Sequence, residues 1–289
     1  MTKIDWQNRF RKLVQHPIVR IVLQLVIWLG VVYTIKEFAI KPILGELFSA
    51  EDTRINVQGL LTLGVGFLVY YYLIRLYEER QVSEMAPVNF LRDTAIGLAL
   101  AGGMITFSVA ILWYFGYYQV TSVNPVSVLL YPVIWVPLLA SFEEITFRGI
   151  LFRISEQAWG THIALLISAL LFGLMHLPNE NSNIPMIISA TTGGLLTCVA
   201  YALTKSLWLP IGIHTGWNFT QVLWGTRVSG ADMFGAYAEA SIEGPDWATG
   251  GGAGIEGSYF CIAVVVLITL AMYMLARKKG VVIAYKQST

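Results

Sequence analysis

Residues 17–33 read PIVRIVLQLVIWLGVVY, an apolar run interrupted by a single charged residue, Arg20. An α-helix needs roughly 20 apolar residues to cross about 30 Å of hydrocarbon. The run extends to about residue 40, which is long enough to cross, and no small-residue cleavage site follows it. We therefore expect a retained membrane helix rather than a removed signal peptide.

Composition extends this expectation to the whole chain. The 289 residues are 56% hydrophobic and 13% charged, with a net charge of +1. Soluble domains carry about 25% charged residues, so too little polar surface is available here to cover a water-exposed core. The lipid bilayer is the expected surrounding. The near-neutral charge balance also excludes a nucleic-acid partner bound through a basic face.

Seven further apolar stretches follow at membrane-spanning length, which predicts an all-α, polytopic membrane protein with about eight transmembrane helices. Residues 1–289 form a single integral-membrane domain in this interpretation, because no separate soluble segment interrupts the pattern. The predicted spans are 18–40, 56–77, 94–118, 126–150, 161–177, 184–204, 206–225 and 257–276.

The basic residues predict the orientation of these spans. With eight crossings, 15 of the 19 Lys and Arg residues fall on one side of the membrane. Cytoplasmic loops concentrate Lys and Arg, so both termini of this multi-pass membrane protein are expected to be cytoplasmic. The 15 are Lys3, Arg9, Arg11, Lys12, Arg20, Arg75, Arg80, Arg92, Arg148, Arg153, Lys205, Arg277, Lys278, Lys279 and Lys286.

One long connection, roughly residues 226–256, is acidic and falls on the extracytoplasmic side. It ends in the glycine-rich run TGGGAGIEG, which we interpret as a flexible linker. Gly252, Gly254 and Gly257 match a dinucleotide-binding spacing, but that motif requires a strand directly before it, and none is expected here.

Ionisable residues inside the apolar stretches are the candidates for function, because each costs about 2.5–3.5 kcal/mol on insertion scales. In PLLASFEEITFRGILFR, residues 137–153, adjacent Glu143 and Glu144 point about 100° apart on a helix. Glu144 and Arg148 are four apart and are expected to form an ion pair on one stripe. Glu143 is then left to face elsewhere, into a cavity.

Two later helices add polar residues at the same spacing. Phe172 and His176 are four apart in the fifth predicted helix, and His214 and Asn218 are four apart in the seventh. Gly212 and Gly216 flank His214 with the spacing of a close helix-packing seam, and they would also open room beside the polar side chains.

Together the three segments supply carboxylates, two imidazoles and an amide. These functional groups are suited to the hydrolysis of an acyl bond by an activated water molecule. A carboxylate and a histidine can hold and move a proton, and N–H donors can stabilise the oxyanion. Two histidines and a glutamate can alternatively bind zinc, again with water as the nucleophile. The spacing leaves both versions open, so the cofactor is either a zinc ion, held by Glu143, His176 and His214, or none.

The pattern Glu143-Glu144-x-x-x-Arg148, Phe172-x-x-x-His176 and His214-x-x-x-Asn218 resembles the signature of the CAAX protease and bacteriocin-processing enzymes, the CPBP or Abi family of intramembrane endopeptidases. More closely, the chain is similar to prokaryotic relatives of the type II CAAX prenyl protease, and this resemblance implies a location in a prokaryotic cell membrane. The resemblance covers about residues 130–225, which would form the catalytic core.

The resemblance implies a role for each motif residue. Glu143 and His176 would activate water, and His214 and Asn218 would form the oxyanion site. The structural residues would be Glu144, Arg148 and Phe172. The substrate would be a membrane-associated peptide or protein.

A non-enzymatic alternative is kept beside this interpretation. Buried Glu and His residues also relay protons in transporters, and a bacteriocin self-immunity protein would not need catalysis. The predicted boundaries also place Glu143 in the cytoplasmic half of its helix and His176 near the outer end of another, so the two would lie at different depths.

Overall fold

Long helices dominate the computed structural model, which describes residues 12–285. The apolar stretches are helical because, in hydrocarbon, backbone N–H and C=O groups must be satisfied within the segment itself. The α-helices are α1 Pro17–Ile35, α2 Lys41–Leu47, α3 Glu51–Tyr77, α4 Phe90–Tyr114, α5 Leu130–Glu144, α6 Arg153–Met175, α7 Ile184–Thr204, α8 Trp208–Trp224, α9 Asp246–Thr249 and α10 Tyr259–Lys278.

Two π-helical segments, Lys36–Ile40 and Ile145–Phe152, join consecutive α-helices without a break in the chain direction. The strands of the described residues are β1, Tyr118–Val123, and β2, Ala238–Ile242, which pair antiparallel with an irregularity between Val120 and Ser122. The largest apolar cluster lies between α1, α3, the second π-helical segment, α6 and α7.

Within residues 12–285, six helical stretches are long and apolar enough to cross a membrane, which agrees with an all-α polytopic fold. They are Pro17–Leu47, Glu51–Tyr77, Ser83–Tyr114, Val126–Met175, Ile184–Thr204 and Tyr259–Lys278. The fourth stretch has 50 residues and includes two of the predicted spans. Helix α8, the seventh predicted span, has only 17 residues. The count of eight crossings and the cytoplasmic termini therefore stay predictions.

The predicted end of the fourth span near residue 150 is wrong, because the helix continues through the π-helical segment into α6. Arg148 and Arg153 consequently lie inside the helical bundle, with exposures of 0% and 5%, rather than in a loop. Arg148 pairs with Glu144, and Arg153 pairs with Glu78. Arg148 and Arg153 thus do not count towards the excess of basic residues in the loops on one side of the membrane. Of the other basic residues used for orientation, Lys3, Arg9, Arg11 and Lys286 lie outside the described residues.

A kink at Gly160 (φ 80°, ψ 168°) turns the chain back and corrects the predicted difference in depth. Glu144 lies 16 residues before this glycine and His176 lies 16 residues after it. At 1.5 Å per helical residue, both are roughly 24 Å along the helix from the turn. The two limbs of the hairpin therefore bring Glu144 and His176 to a similar level.

Helix α8 is held against α4 by glycines. A Cβ added at Gly212 would lie 2.6 Å from the carbonyl oxygen of Thr94, and one at Gly216 would lie 2.8 Å from the Cα of Leu98. From the other side, a Cβ at Gly97 would lie 2.5 Å from the backbone nitrogen of Ile213. The glycines flanking His214 therefore serve close backbone packing, as small residues do between membrane helices.

The connection at residues 226–257 is folded onto the bundle, so its interpretation as a flexible linker is wrong. Ala253 and Ile255 are fully buried. Gly250, Gly251 and Gly254 have positive φ values, which glycine adopts without a Cβ clash and which let the chain turn tightly into the helix that follows. No strand lies directly before Gly252 in the described chain, in agreement with the prediction from the sequence.

Candidate active site

Residues of all three motifs meet around one cavity, called here the central cavity, with a volume of about 50 Å³. Helices α5, α6 and α8 supply the motif side chains, and α7, α10 and the 226–257 connection complete the wall. The motif residues lining it are Glu144, Phe172, His176, His214 and Asn218, and further wall residues include Ser189, Thr197, Trp217, Ser229 and Glu256.

Glu144 and Arg148 form a buried ion pair at the base of this site. Arg148 Nη1 donates to Glu144 Oε1 at 3.1 Å, and both side chains are inaccessible to solvent. Nη2 of Arg148 donates to the carbonyl oxygen of Gly194 at 2.7 Å, and the guanidinium lies 4.6 Å from the centre of the Phe172 ring. The arginine therefore connects α5, α6 and α7 through one planar group.

His214 lies between the two adjacent glutamates. Its Nδ1 is 2.9 Å from Glu144 Oε1, while its Nε2 is 3.9 Å from Glu143 Oε2. Hydrogen bonding to the Glu144 carboxylate makes Nδ1 the protonated donor nitrogen. Although neighbouring side chains point apart on a helix, one imidazole placed between them reaches both carboxylates.

Glu143 does not line the central cavity, contrary to the expectation from the sequence, and Glu144 lines it instead. Glu143 is partly exposed, with 28% of its side-chain area accessible, yet its Oε2 atom is buried and has no hydrogen-bond partner within residues 12–285. Such an oxygen has its full capacity to accept a hydrogen bond from water or substrate.

His176 is buried at the end of α6 with an exposure of 8%. Its Nδ1 is 2.8 Å from the carbonyl oxygen of Phe172. That carbonyl can only accept, so Nδ1 carries a proton, and Nε2 makes no hydrogen bond to a described residue. The described contacts include no hydrogen bond between His176 and Glu143. The two imidazoles both pack on Phe172, at 5.0 Å and 5.8 Å between ring centres.

Asn218 lies one helical turn after His214 and is 9% exposed. It lines the central cavity, and its side chain makes no hydrogen bond to another described residue. The amide is therefore able to donate to a group that enters the cavity.

Across residues 12–285, no group of three or more His, Cys, Asp or Glu side chains is arranged to hold a metal ion. The Nδ1 atoms of His176 and His214 are hydrogen-bonded, which leaves Nε2 of each ring as the nitrogen that could bind one, and Oε1 of Glu144 is shared by Arg148 and His214. The candidate zinc ligands Glu143, His176 and His214 are thus not preassembled among the described residues. No step of the proposed reaction passes through a metal.

Glu256 is a cavity residue that the sequence interpretation missed. It belongs to the connection taken for a flexible linker, but it is 6% exposed and contacts the motif helix α8. Trp217 Nε1 and Gln221 Nε2 both donate to its Oε1, at 2.6 Å and 2.8 Å. The available signal was a lone carboxylate within an otherwise apolar, glycine-rich stretch just before the last helix.

Comparison with known proteins identifies the segment that builds this site. Residues 122–220 match the family model described as Rce1-like: Type II CAAX prenyl endopeptidase Rce1-like. No curated protein and no solved structure matches the chain. The match includes all three motifs and excludes Glu256. Together with the long apolar helices, it identifies an integral, multi-pass membrane protein. Over about a third of its length, the chain thus matches a type II CAAX prenyl endopeptidase-like family model, in agreement with the resemblance of its motifs.

Proposed function

We propose that the chain is an intramembrane endopeptidase that hydrolyses peptide bonds of membrane-associated peptides or proteins. The observation that carries the proposal is the convergence of the three motifs on one cavity, inside the segment matched by the family model. That match favours an endopeptidase over the transporter or self-immunity protein. Residues 130–225 would provide the catalytic core.

Water is the proposed nucleophile. The central cavity is lined by His176, His214 and Asn218 and has room for water, since about 10–15 Å³ of accessible volume is enough to hold one molecule. Substrate would bring its scissile carbonyl beside a water held in this cavity. Exclusion of other water strengthens each electrostatic contact around the reaction.

Glu143 and His176 are proposed to activate this water. His176 lines the cavity, and Glu143 would reach the water from beside it, since its Oε2 lies 3.9 Å from Nε2 of the cavity residue His214. Neither Oε2 of Glu143 nor Nε2 of His176 accepts a hydrogen bond from a described residue. One of them takes a proton as the oxygen attacks the scissile carbonyl, and the proton then passes to the departing amine. A positioned base of this kind contributes typically about 10²–10⁴ in rate.

Asn218 and His214 are proposed to stabilise the oxyanion. The Asn218 amide is free to donate. A His214 ring protonated on both nitrogens would donate from Nε2 while Nδ1 stays on Glu144. Loss of one oxyanion donor costs about 10²–10³ in kcat in well-studied hydrolases. Glu144 and Arg148 would act by holding His214 in place.

Glu143→Ala and His176→Ala test the proposal in full-length protein reconstituted in lipid nanodiscs with a mixture of synthetic peptides. Both variants should lose cleavage by at least about 10²-fold, measured by mass spectrometry of the products. Glu180→Ala and His162→Ala are matched controls at exposed positions that do not line the cavity, and they should cleave normally.

Folding is checked in parallel by gel filtration and thermal unfolding, so that lost activity is not confused with lost structure. Wild-type cleavage that persists in both folded active-site variants would refute the assigned roles of Glu143 and His176.

A further inference from the structure

The side chain of Glu256 lies in the wall of the central cavity although it comes from outside the motif-bearing segment. It is 6% exposed and sits three residues before the start of α10. The connection that carries it is tied to the loop after His176, because Asn179 and Asn181 donate to the carbonyl oxygens of Ser229 and Gly230 at 2.8 Å. These two hydrogen bonds hold the start of the connection beside the cavity wall.

Helix α8 places Glu256 beside the proposed oxyanion residues. Trp217 and Gln221, which donate to Glu256, follow His214 by three and seven residues and therefore lie on the same face of the helix. Asn218, four residues after His214, lies on that face as well. Both donate to Oε1, and Oε2 makes no hydrogen bond to a described residue. One carboxylate oxygen is thus anchored while the other is available.

The charge of Glu256 is not balanced within the described part of the chain. Glu144 has the buried cation Arg148 as its partner, whereas both groups that contact Glu256 are neutral. Burial of a carboxylate is costly unless an opposite charge accompanies it. A cation that arrives with the substrate would supply the missing partner.

We propose that Glu256 is a specificity-determining residue that binds a cationic side chain, lysine or arginine, next to the scissile bond. This inference rests on the proposed endopeptidase function and adds a substrate class to it. The same carboxylate disfavours substrates that place an acidic residue there, because like charges in a water-poor site repel.

The test compares peptide mixtures in which each position carries lysine, norleucine or glutamate. Norleucine matches the lysine stem without its charge. Wild-type protein in nanodiscs should cleave lysine peptides faster than norleucine peptides at one position flanking the cut. Glu256→Gln should reduce this lysine-to-norleucine cleavage ratio by roughly tenfold or more. Glutamine keeps an Oε1 acceptor for Trp217 and Gln221, so the anchor of the connection is preserved.

The lysine-to-norleucine cleavage ratio is measured within each variant, so a change in the overall cleavage rate of that variant cancels. Glu243→Gln removes a carboxylate from the same connection at an exposed position and should leave the ratio as in wild type. Glu256→Lys should instead favour glutamate. A wild-type ratio near one, or a ratio unchanged by Glu256→Gln, would overturn the inference.

A binding experiment separates this inference from the proposed function. If wild-type protein in nanodiscs releases no peptide products beyond those of empty nanodiscs, the endopeptidase proposal fails. Affinities of the lysine and norleucine peptides are then measured by thermal shift on the Glu143→Ala protein with and without Glu256→Gln. Tighter binding of lysine peptides that depends on Glu256 supports the cation site, and equal affinities refute it.

Discussion

Replacement of Arg148 by alanine tests whether the buried ion pair supports the site. The substitution removes the guanidinium paired with Glu144 and leaves His214 as the remaining hydrogen-bond partner of that carboxylate among the described residues. The side chains of Glu144 and Arg148 are both fully inaccessible. It also removes the 2.7 Å hydrogen bond to Gly194 and the contact at 4.6 Å from the Phe172 ring centre. Three connections between α5, α6 and α7 are lost together.

The expected loss of stability follows from the carboxylate that is left behind. Removal of one partner from a buried ion pair destabilises proteins by about 3–5 kcal/mol, because the remaining charge has no compensation. For a chain of this size, each kcal/mol corresponds to roughly 2–4 °C in Tm. Arg148→Ala should therefore lower the apparent Tm by about 6–20 °C.

The assay is thermal unfolding of purified protein in detergent, followed by intrinsic fluorescence. Arg227→Ala is the matched control, because its pair with Asp232 is solvent-exposed, and surface pairs contribute about 0–1 kcal/mol. The double variant Glu144→Gln with Arg148→Met removes both charges and should recover part of the loss. An unchanged Tm in Arg148→Ala, or a double variant less stable than it, would refute the reasoning.

Two further predictions concern packing and acidity. Gly216→Leu should strongly lower the apparent Tm, because its Cβ would already lie 2.8 Å from the Cα of Leu98. Gly103→Leu is the control and should have little effect, because a Cβ added there has no atom within 4 Å. Equal shifts in Tm would contradict the close α4–α8 packing. Burial raises the pKa of Glu78, but hydrogen bonds and charge from Arg153 outweigh it and hold the pKa well below its usual range. The stabilisation from Glu78 is therefore complete above about pH 4.3, the unfolded value, and is lost as pH falls towards the lower folded pKa. The apparent Tm of wild type should fall on acidification from about pH 5 to pH 3 more steeply than that of Glu78→Gln, and parallel curves would contradict this assignment.

Local sequence pattern singled out five residues that line the central cavity, but it did not give the contacts between them. A spacing of four placed Glu144 and Arg148 on one helical stripe, and the structure has them in contact at 3.1 Å. The same argument predicted that Glu143 faces a cavity, but it is Glu144 that lines the central cavity. Periodicity gives the angle between neighbouring side chains, but the rotation of the whole helix depends on what packs against it.

Helix boundaries were less predictable because charge was treated as a marker of loops. Arg148 and Arg153 look like connecting residues in a hydropathy pattern, yet each finds a buried carboxylate, from Glu144 and Glu78 respectively. A paired cation can remain inside a helical bundle, so the helix passes through both positions to the kink at Gly160.

The sequence alone determined the membrane environment, the helical fold class, the three motifs and the family they resemble. Each of these depends on composition or on contacts within one helical turn. Only the tertiary structure decided that His214 lies between Glu143 and Glu144, that His176 reaches their level, and that Glu256 enters the cavity wall. These contacts join residues that are 32 or more positions apart, and helix packing, kinks and loop closure set them rather than any local spacing.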